Sequence, residues 1–230
     1  MRQLLPDPVE DVDPVDAYSD LPEVEGRPSV RLNMIASVDG GTAVAGVSGS
    51  LGGPADKAVF DALRSLTDMV LVAAGTVRAE RYGPSPMPVA VVTRSCLLDW
   101  EAPFFTAPIA KPIVVTVSNA PADNVERAGK VADVVIAGEN DVDLTRAVVA
   151  LGERGANRVL AEGGPTLNGQ LAAADLLDEV CLTLSPKIVS GGSKRIVTAT
   201  DLPEPISMTL RSLCEADGLL FLRYRAARLS

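Results

Sequence analysis

Five short apolar runs, rich in β-branched residues, follow one another through the middle of the chain: "MVLVAA" (69–74), "VAVVT" (89–93), "PIVVTV" (112–117), "DVVIA" (133–137) and "RVLAE" (158–162). None alternates apolar with polar residues, so each reads as a strand covered on both faces, and strands of that kind belong to parallel sheets. Parallel neighbours need crossover connections, and helix-like segments are interspersed among the runs. "PADKAVFDALRSLTD" (54–68) brings Val59, Leu63 and Leu66 near one face, with Pro54 suited to a first helical turn. "DLTRAVVALGERG" (143–155) has Asp143 to cap its start and Gly155 its end. A third helix, "TLNGQLAAADLL", follows the fifth run. "SVRLNMIAS" (29–37) and "DEVCLTLSP" (178–186) add strands on either side, and "ISMTLRSLCEA" and "LLFLRYRA" flank Asp217-Gly218, a hairpin signal. The pattern predicts an α/β sheet, mostly parallel, with an antiparallel edge at its C-terminal end. No repeat or linker interrupts residues 27–230, which read as one domain behind an N-terminal arm, residues 1–26.

The arm is unlike the rest. Residues 1–26 hold eight acids and one base, Arg2, so most of the net charge of −9 belongs to them, and the remaining residues carry 20 bases and 22 acids. Its Pro and Asp content disfavours regular structure, and the expectation is an extended arm lying on the body, or one partly disordered. The body has no basic excess to attract nucleic acid. Aromatics are only 3% of residues, too few for a base-stacking surface. No apolar run reaches the roughly 18 residues of a spanning helix. "MRQLLPDPVE" has no basic region followed by an apolar one, as an export signal would. Cys96, Cys181 and Cys214 are widely spaced and odd in number. They suit a reducing cytoplasm and form no metal-ligand pair. There is no histidine, which excludes Ser-His-Asp and Cys-His nucleophilic chemistry and the common zinc sites. No metal is expected.

Four segments can carry chemistry. In "AEGGPTLNGQL" (161–171), Gly163 and Gly164 leave backbone amides bare, and Pro165 opens a helix whose first amides, with the Thr166 hydroxyl, can face an anion. The competing reading is a tight strand-to-helix turn. "VAAGTVRAERYG" (72–83) ends a strand at Gly75-Thr76, with Arg78 and Arg81 on the turn that follows. "VVTRS" (91–95) delivers Thr93, Arg94 and Ser95 to a strand's carboxyl end, where open α/β sheets collect ligands. "ASVDGG" (36–41) sets Ser37 and Asp39 before a glycine turn, which is also ordinary turn chemistry. Asp39 and Glu162 are the two carboxylates that end apolar strands in these segments, and so the candidates for proton transfer.

These four segments in this order, S-x-D-G, G-T-V with an acid four residues after the threonine, V-V-T-R-S, and E-G-G-P-T-L, resemble the riboflavin-pathway pyrimidine reductases, the reductase half of bacterial deaminase-reductases. "LDEVCLTLSPKIVSGGSKR" adds to the likeness, which runs from about Arg27 to Arg225. The resemblance implies a dihydrofolate reductase-like three-layer α/β fold and an NADPH-dependent cytoplasmic oxidoreductase with a small-molecule substrate, acting as a homodimer with the C-terminal edge strands available as interface; the composition gives no reason to expect a membrane or nucleic-acid partner. The implied reaction reduces 5-amino-6-(5-phosphoribosylamino)uracil, ribosyl to ribityl. Thr76 and Glu80 would lie near the cofactor, Val92, Thr93, Arg94 and Ser95 on its adenosine side with Arg94 at the 2′-phosphate, and Gly163, Gly164, Pro165, Thr166 and Leu167 at the pyrophosphate. Asn33, Ser37, Asp39 and Glu162 would surround the substrate, with Asp39 and Glu162 catalytic, favouring an iminium form by their charge.

Departures from the family pattern fall on the substrate side. Asn33 stands where a lysine is usual, Asp61 replaces a frequent histidine, and "ERY" (80–82) replaces "DDP". Lys187, Lys194 and Arg195 are the cations that can compensate. The deaminase half, with its zinc-binding residues, has no counterpart here. These departures motivate a second reading, a reductase of the same fold acting on dihydrofolate or another pterin. A third, a nucleotide-binding regulator without turnover, fits less well because Ser37, Asp39 and Glu162 are all present.

Overall fold

The computed structural model describes residues 1–229. Its ten strands are β1 (Arg2–Leu5), β2 (Ser29–Ser37), β3 (Met69–Ala73), β4 (Val89–Val92), β5 (Ile113–Thr116), β6 (Asp133–Ile136), β7 (Arg158–Ala161), β8 (Glu179–Ser185), β9 (Met208–Ala216) and β10 (Leu219–Ala226). They form one sheet in the order β1-β9-β10-β8-β2-β7-β3-β4-β5-β6. The run from β8 to β6 is parallel throughout, and β10, β9 and β1 continue it antiparallel. The helices are α1 (Pro14–Tyr18), α2 (Pro54–Ser65), α3 (Ala74–Ala79), α4 (Pro103–Thr106), α5 (Ala122–Val131), α6 (Leu144–Gly152) and α7 (Pro165–Ala173). The five central runs are strands within a residue or two of their expected ends, and Asp143 caps α6 by accepting from the Arg146 amide.

Each of the inner parallel strands β3, β4, β5 and β7 serves two cores, as its continuous apolar sequence requires. Met69 and Leu71 face one side of the sheet with Val30, Val159 and the apolar stripes of α6 and α7. Val70 and Val72 face the other, against Val77 of α3, Phe104 and Phe105 of α4 and Ala128 of α5. Further along that second side, Val59 and Leu63 of α2 meet Tyr18 of α1, Cys181 and Phe221. This is a three-layer arrangement. All three cysteines are buried and unpaired, and burial pushes the Cys181 thiol up to about 12.

The arm lies on the body, and it has more regular structure than its composition suggests: it contributes β1 to the sheet and α1 to the second layer. Asp13 caps α1 through the Val15 amide at 2.7 Å, and Tyr18 is 2% exposed. Its acidity has a destination: Asp20 reaches Arg223 at 2.6 Å and Arg225 at 3.3 Å. Both arginines also pair with Glu179, which is fully buried and 2.7 Å from Arg31. Burial works against the Arg223 charge, yet the Glu179 carboxylate and its hydrogen bonds outweigh that and raise the pKa of the guanidinium. Tyr18 lies beneath this cluster, its ring centroid 5.1 Å from Arg223 and 5.9 Å from Arg31. The arm is therefore tied down by charge as well as by strand pairing.

Candidate active site

Parallel strands that end side by side leave a crevice at their carboxyl ends, and here it is a cavity of about 910 Å³. Asn33, Met34 and Ile35 of β2, Gly75 and Thr76 beyond β3, and Glu162, Gly164 and Pro165 beyond β7 line it, with Asp56, Phe60 and Arg64 from α2. The remaining wall is loop. Ser193 accepts from the amides of Thr42 and Ala43 at 3.0 and 3.2 Å, which joins the segment after β2 to the segment after β8. Glu80 accepts from the Ser48 amide and hydroxyl, both at 2.9 Å, and so fixes the loop that precedes α2.

Glu162 is the most constrained carboxylate in the cavity. Its side chain is 4% exposed and takes both Nε and Nη2 of Arg64, at 2.7 and 2.8 Å. The Tyr82 hydroxyl donates to the same carboxylate at 2.5 Å. Burial, with Glu162 beside it, raises the Tyr82 pKa well above its ordinary value, so that phenol keeps its proton. Burial opposes the Arg64 charge, but Glu162 overrides it and raises the Arg64 pKa. Arg64 also lies over Phe60 at 4.4 Å and Tyr82 at 5.7 Å. The group holds a negative charge in a fixed position, with a guanidinium rather than a labile proton as its first partner.

Asp39 stands elsewhere. It is exposed and outside the cavity wall, accepting from the Ser37 hydroxyl at 2.6 Å and from the amides of Val189 and Ser190 at 3.0 and 2.7 Å. Those hydrogen bonds, Ser37 first, bring its pKa down to about 2. Near neutral pH it is a settled carboxylate that clamps the loop after β8 to the end of β2, and Ser190, Ser193 and Lys194 of that loop face the cavity. Ser37 is fully buried and engaged with Asp39 and Gly41.

Of the residues expected from sequence, the cavity gathers Asn33, Thr76, Glu80, Glu162, Gly164 and Pro165. Gly163, with φ +90°, precedes α7 through a cis peptide, and a Cβ on Gly164 would stand 3.0 Å from the Thr76 hydroxyl. Any larger residue at 164 would fill the gap between Thr76 and the α7 N-terminus, so this turn fits a closely approaching anion. Thr166 is exposed on the same turn, while the Leu167 side chain belongs to the core and leaves only its amide for a ligand. Val92, Thr93, Arg94 and Ser95 lie one strand further along, at the end of β4. Thr93 accepts from the Cys96 amide at 3.1 Å, Ser95 from the Leu97 amide at 3.3 Å, and Arg94 pairs with Asp141 at 2.9 Å, both largely exposed.

Sequence reasoning passed over Asp56, Phe60, Arg64 and Tyr82. A signal for three of them was present: Asp56, Phe60 and Arg64 recur at spacings of four and share one side of α2, beside the apolar stripe of Val59 and Leu63.

A parallel-sheet α/β protein with a ligand cavity at its strand ends is the class that fold and site define. The chain belongs to the RibD C-terminal domain family, whose family model matches residues 28–219. It is 34% identical over 179 residues to the 2,5-diamino-6-ribosylamino-4(3H)-pyrimidinone 5′-phosphate reductase of Methanothermobacter thermautotrophicus, across 74% of this chain and 82% of that protein. Its fold is that of a pyrimidine reductase-like protein from Corynebacterium diphtheriae (TM-score 0.82, 24% identity, 94% of this chain and 100% of the other). The dihydrofolate reductase of Enterococcus faecalis shares the architecture more distantly, at a TM-score of 0.52 and 10% identity over 90% of this chain and 99% of the other.

Proposed function

We propose that this chain is a reductase of riboflavin biosynthesis that converts a ribosylamino-pyrimidinone 5′-phosphate to its ribitylamino form with NADPH. The observation that carries the reading is the cavity wall itself, where the fixed Glu162–Arg64–Tyr82 group stands beside the glycine turn that opens α7. The kinship with the archaeal reductase supports the substrate class. Gly163 to Leu167 would hold the pyrophosphate of the dinucleotide, Thr76 and Glu80 would border it, and Val92 to Ser95 would take its adenosine side. Bound there, the cofactor supplies the hydride. The protein's part is alignment and charge. Glu162, fixed in place by Arg64, favours the cationic imine form of the opened sugar. Asp39 holds the roof loop in place, and Ser37 holds Asp39. Asn33 borders the substrate, and Lys194 offers a cation for its phosphate. The same reading makes the protein a cytoplasmic homodimer.

The test is consumption of reduced nicotinamide by the purified protein, with the pyrimidine phosphate and dihydrofolate supplied in parallel. Turnover of the pyrimidine is expected; turnover of dihydrofolate alone would replace this function with the pterin reading that Asn33 favours.

Cofactor choice has its own readout. Among the described residues Arg94 pairs only with an exposed Asp141, a contact of small worth in water, so it can change partners. Arg94→Ala should weaken NADPH binding about 10-fold, the scale of a screened charged hydrogen bond, and leave NADH binding nearly unchanged. Equal losses for both would remove Arg94 from the 2′-phosphate site.

A further inference from the structure

α2 carries two neighbouring stripes of side chains. Asp56, Phe60 and Arg64 line the cavity. One residue before each of them, Ala55, Val59 and Leu63 pack away from it, with Leu66 beyond, into the cluster that holds Ala17 and Tyr18 of α1. The two stripes share one backbone, so whatever places the second also places the first.

The body of the protein anchors the start of α2. The Ser185 hydroxyl donates to the Leu51 carbonyl, just before the helix, at 2.7 Å. The first turn itself has no side-chain cap, whereas Asp13 and Asp143 cap α1 and α6. Along its length α2 lies on Leu160, Cys181 and Phe221 of the sheet, and α1 packs against its flank. Tyr18 is the bulkiest member of that cluster, and it is held in turn. Arg31 and Arg223 stand over its ring, Arg223 donates to the Ala17 carbonyl, and Asp20 pairs with Arg223. The support beside α2 is therefore fastened to β10 by charge and does not depend on α2 for its own position.

We propose that Tyr18 is a positioning residue for the reduction: it braces α2 from outside the cavity and so sets where Arg64 meets Glu162 and where Phe60 borders the substrate. The inference rests on the proposed function. The brace comes from the arm, which precedes the residues that the family model matches, so it acts on the shared domain from beyond it. A Tyr18 that only filled space would lower stability and leave the folded enzyme as active as before.

The experiment measures kcat/KM for the pyrimidine phosphate and the Kd for NADPH in Tyr18→Ala, at a temperature where circular dichroism shows the variant folded. A small displacement of aligned groups is costly, so kcat/KM should fall about 10- to 100-fold. NADPH binding should hold, because Gly163 to Leu167 and the end of β4 lie on other elements. Tyr18→Phe keeps the ring and should behave as the wild type. Leu151→Ala is the control for stability. It truncates a fully buried side chain of α6 on the opposite face of the sheet, and should lower the urea midpoint while leaving kcat/KM unchanged. Equal losses of kcat/KM in Tyr18→Ala and Leu151→Ala overturn the proposal, as does full activity of folded Tyr18→Ala. Tyr18→Leu, which keeps apolar bulk without the ring, takes its place if Tyr18→Ala does not fold, with the same directions expected.

Hydrogen exchange separates the brace from the function, since it needs no substrate. In Tyr18→Ala the amides of Phe60 to Arg64 should exchange at least about 10-fold faster than in the wild type, as a locally loosened helix does, while those of α7 keep their rate. Unchanged protection of α2 overturns the brace whatever the kinetics show. Faster exchange confined to α2, in a protein whose wild type turns over neither the pyrimidine phosphate nor dihydrofolate, would sink the proposed function and keep Tyr18 as the residue that positions this wall of the cavity.

Discussion

Removing the Glu179 carboxylate should cost the fold about 3–5 kcal/mol, the range found when one partner of a buried ion pair is deleted. Glu179 is fully buried, and Arg31, Arg223 and Arg225 all lie within 3.2 Å of it. In Glu179→Ala those guanidiniums keep their charge, because arginine does not lose its proton in proteins. Asp20, itself more than half exposed, is the one other acid paired with this group. Domains of this kind are stable by only about 5–15 kcal/mol, so the loss is a large share of the total. Urea unfolding at neutral pH reads it directly as a lower midpoint. Asp20→Asn is the control, with a smaller effect expected because solvent screens the group it removes. Equal stability of Glu179→Ala and wild type would mean that the arginines find water or rearrange.

The second large effect belongs to Arg64. Arg64→Met removes the cation from a carboxylate whose side chain is 4% exposed and leaves Tyr82 as its one remaining partner. A loss of about 2–3 kcal/mol in stability is expected, below the range for full burial because Arg64 itself is 23% exposed. Reductase activity should fall at least about 10³-fold, since a negative charge at a fixed point is what the site supplies to a developing cation. The double variant Arg64→Met/Glu162→Gln separates the two effects. It should recover part of the stability, because no charge is left stranded, and none of the activity. Additive stability losses would show that the pair is not coupled.

The fold was legible because its signal is repeated: each central run is apolar through its middle, and the sheet buries both faces of all but the edge strand β6. The hidden parts lacked such a signal. α5 (Ala122–Val131) fully buries only Ala128, with Val125 and Val131 partly buried beside it, so "ADNVERAGKV" has only a narrow stripe of small apolar residues to mark it. The arm reads as a solvated leader because eight acids and four prolines are scattered among its apolar residues, and the arginines that receive Asp20 lie some 200 positions away. Glu162 was legible as a site residue from its strand-end position, but its partners were not. Arg64 comes from a different crossover, and Tyr82 from the turn after α3, and only the sheet order brings them together. Asp39 and Glu162 look equivalent in sequence. The structure separates them, one clamping an exposed loop and the other buried against a guanidinium.

The way the arm finishes the sheet limits how molecules of this protein can join. β9 would otherwise end the sheet with a row of unpaired amides and carbonyls, but β1 covers it from Arg2 to Leu5. Behind β1 the chain doubles back, so that Gln3 and Val9 exchange backbone hydrogen bonds at 2.9 and 3.1 Å. Pro6 and Pro8, in between, have no amide to offer a neighbour. Growth of the sheet into a second molecule is thus blocked along Leu213–Glu215 unless the arm lets go, which would first break its ion pairs to Arg223 and Arg225. The acidic arm acts there as a coping stone on the wall, leaving the Met208–Ser212 stretch of β9 as the open part of this edge.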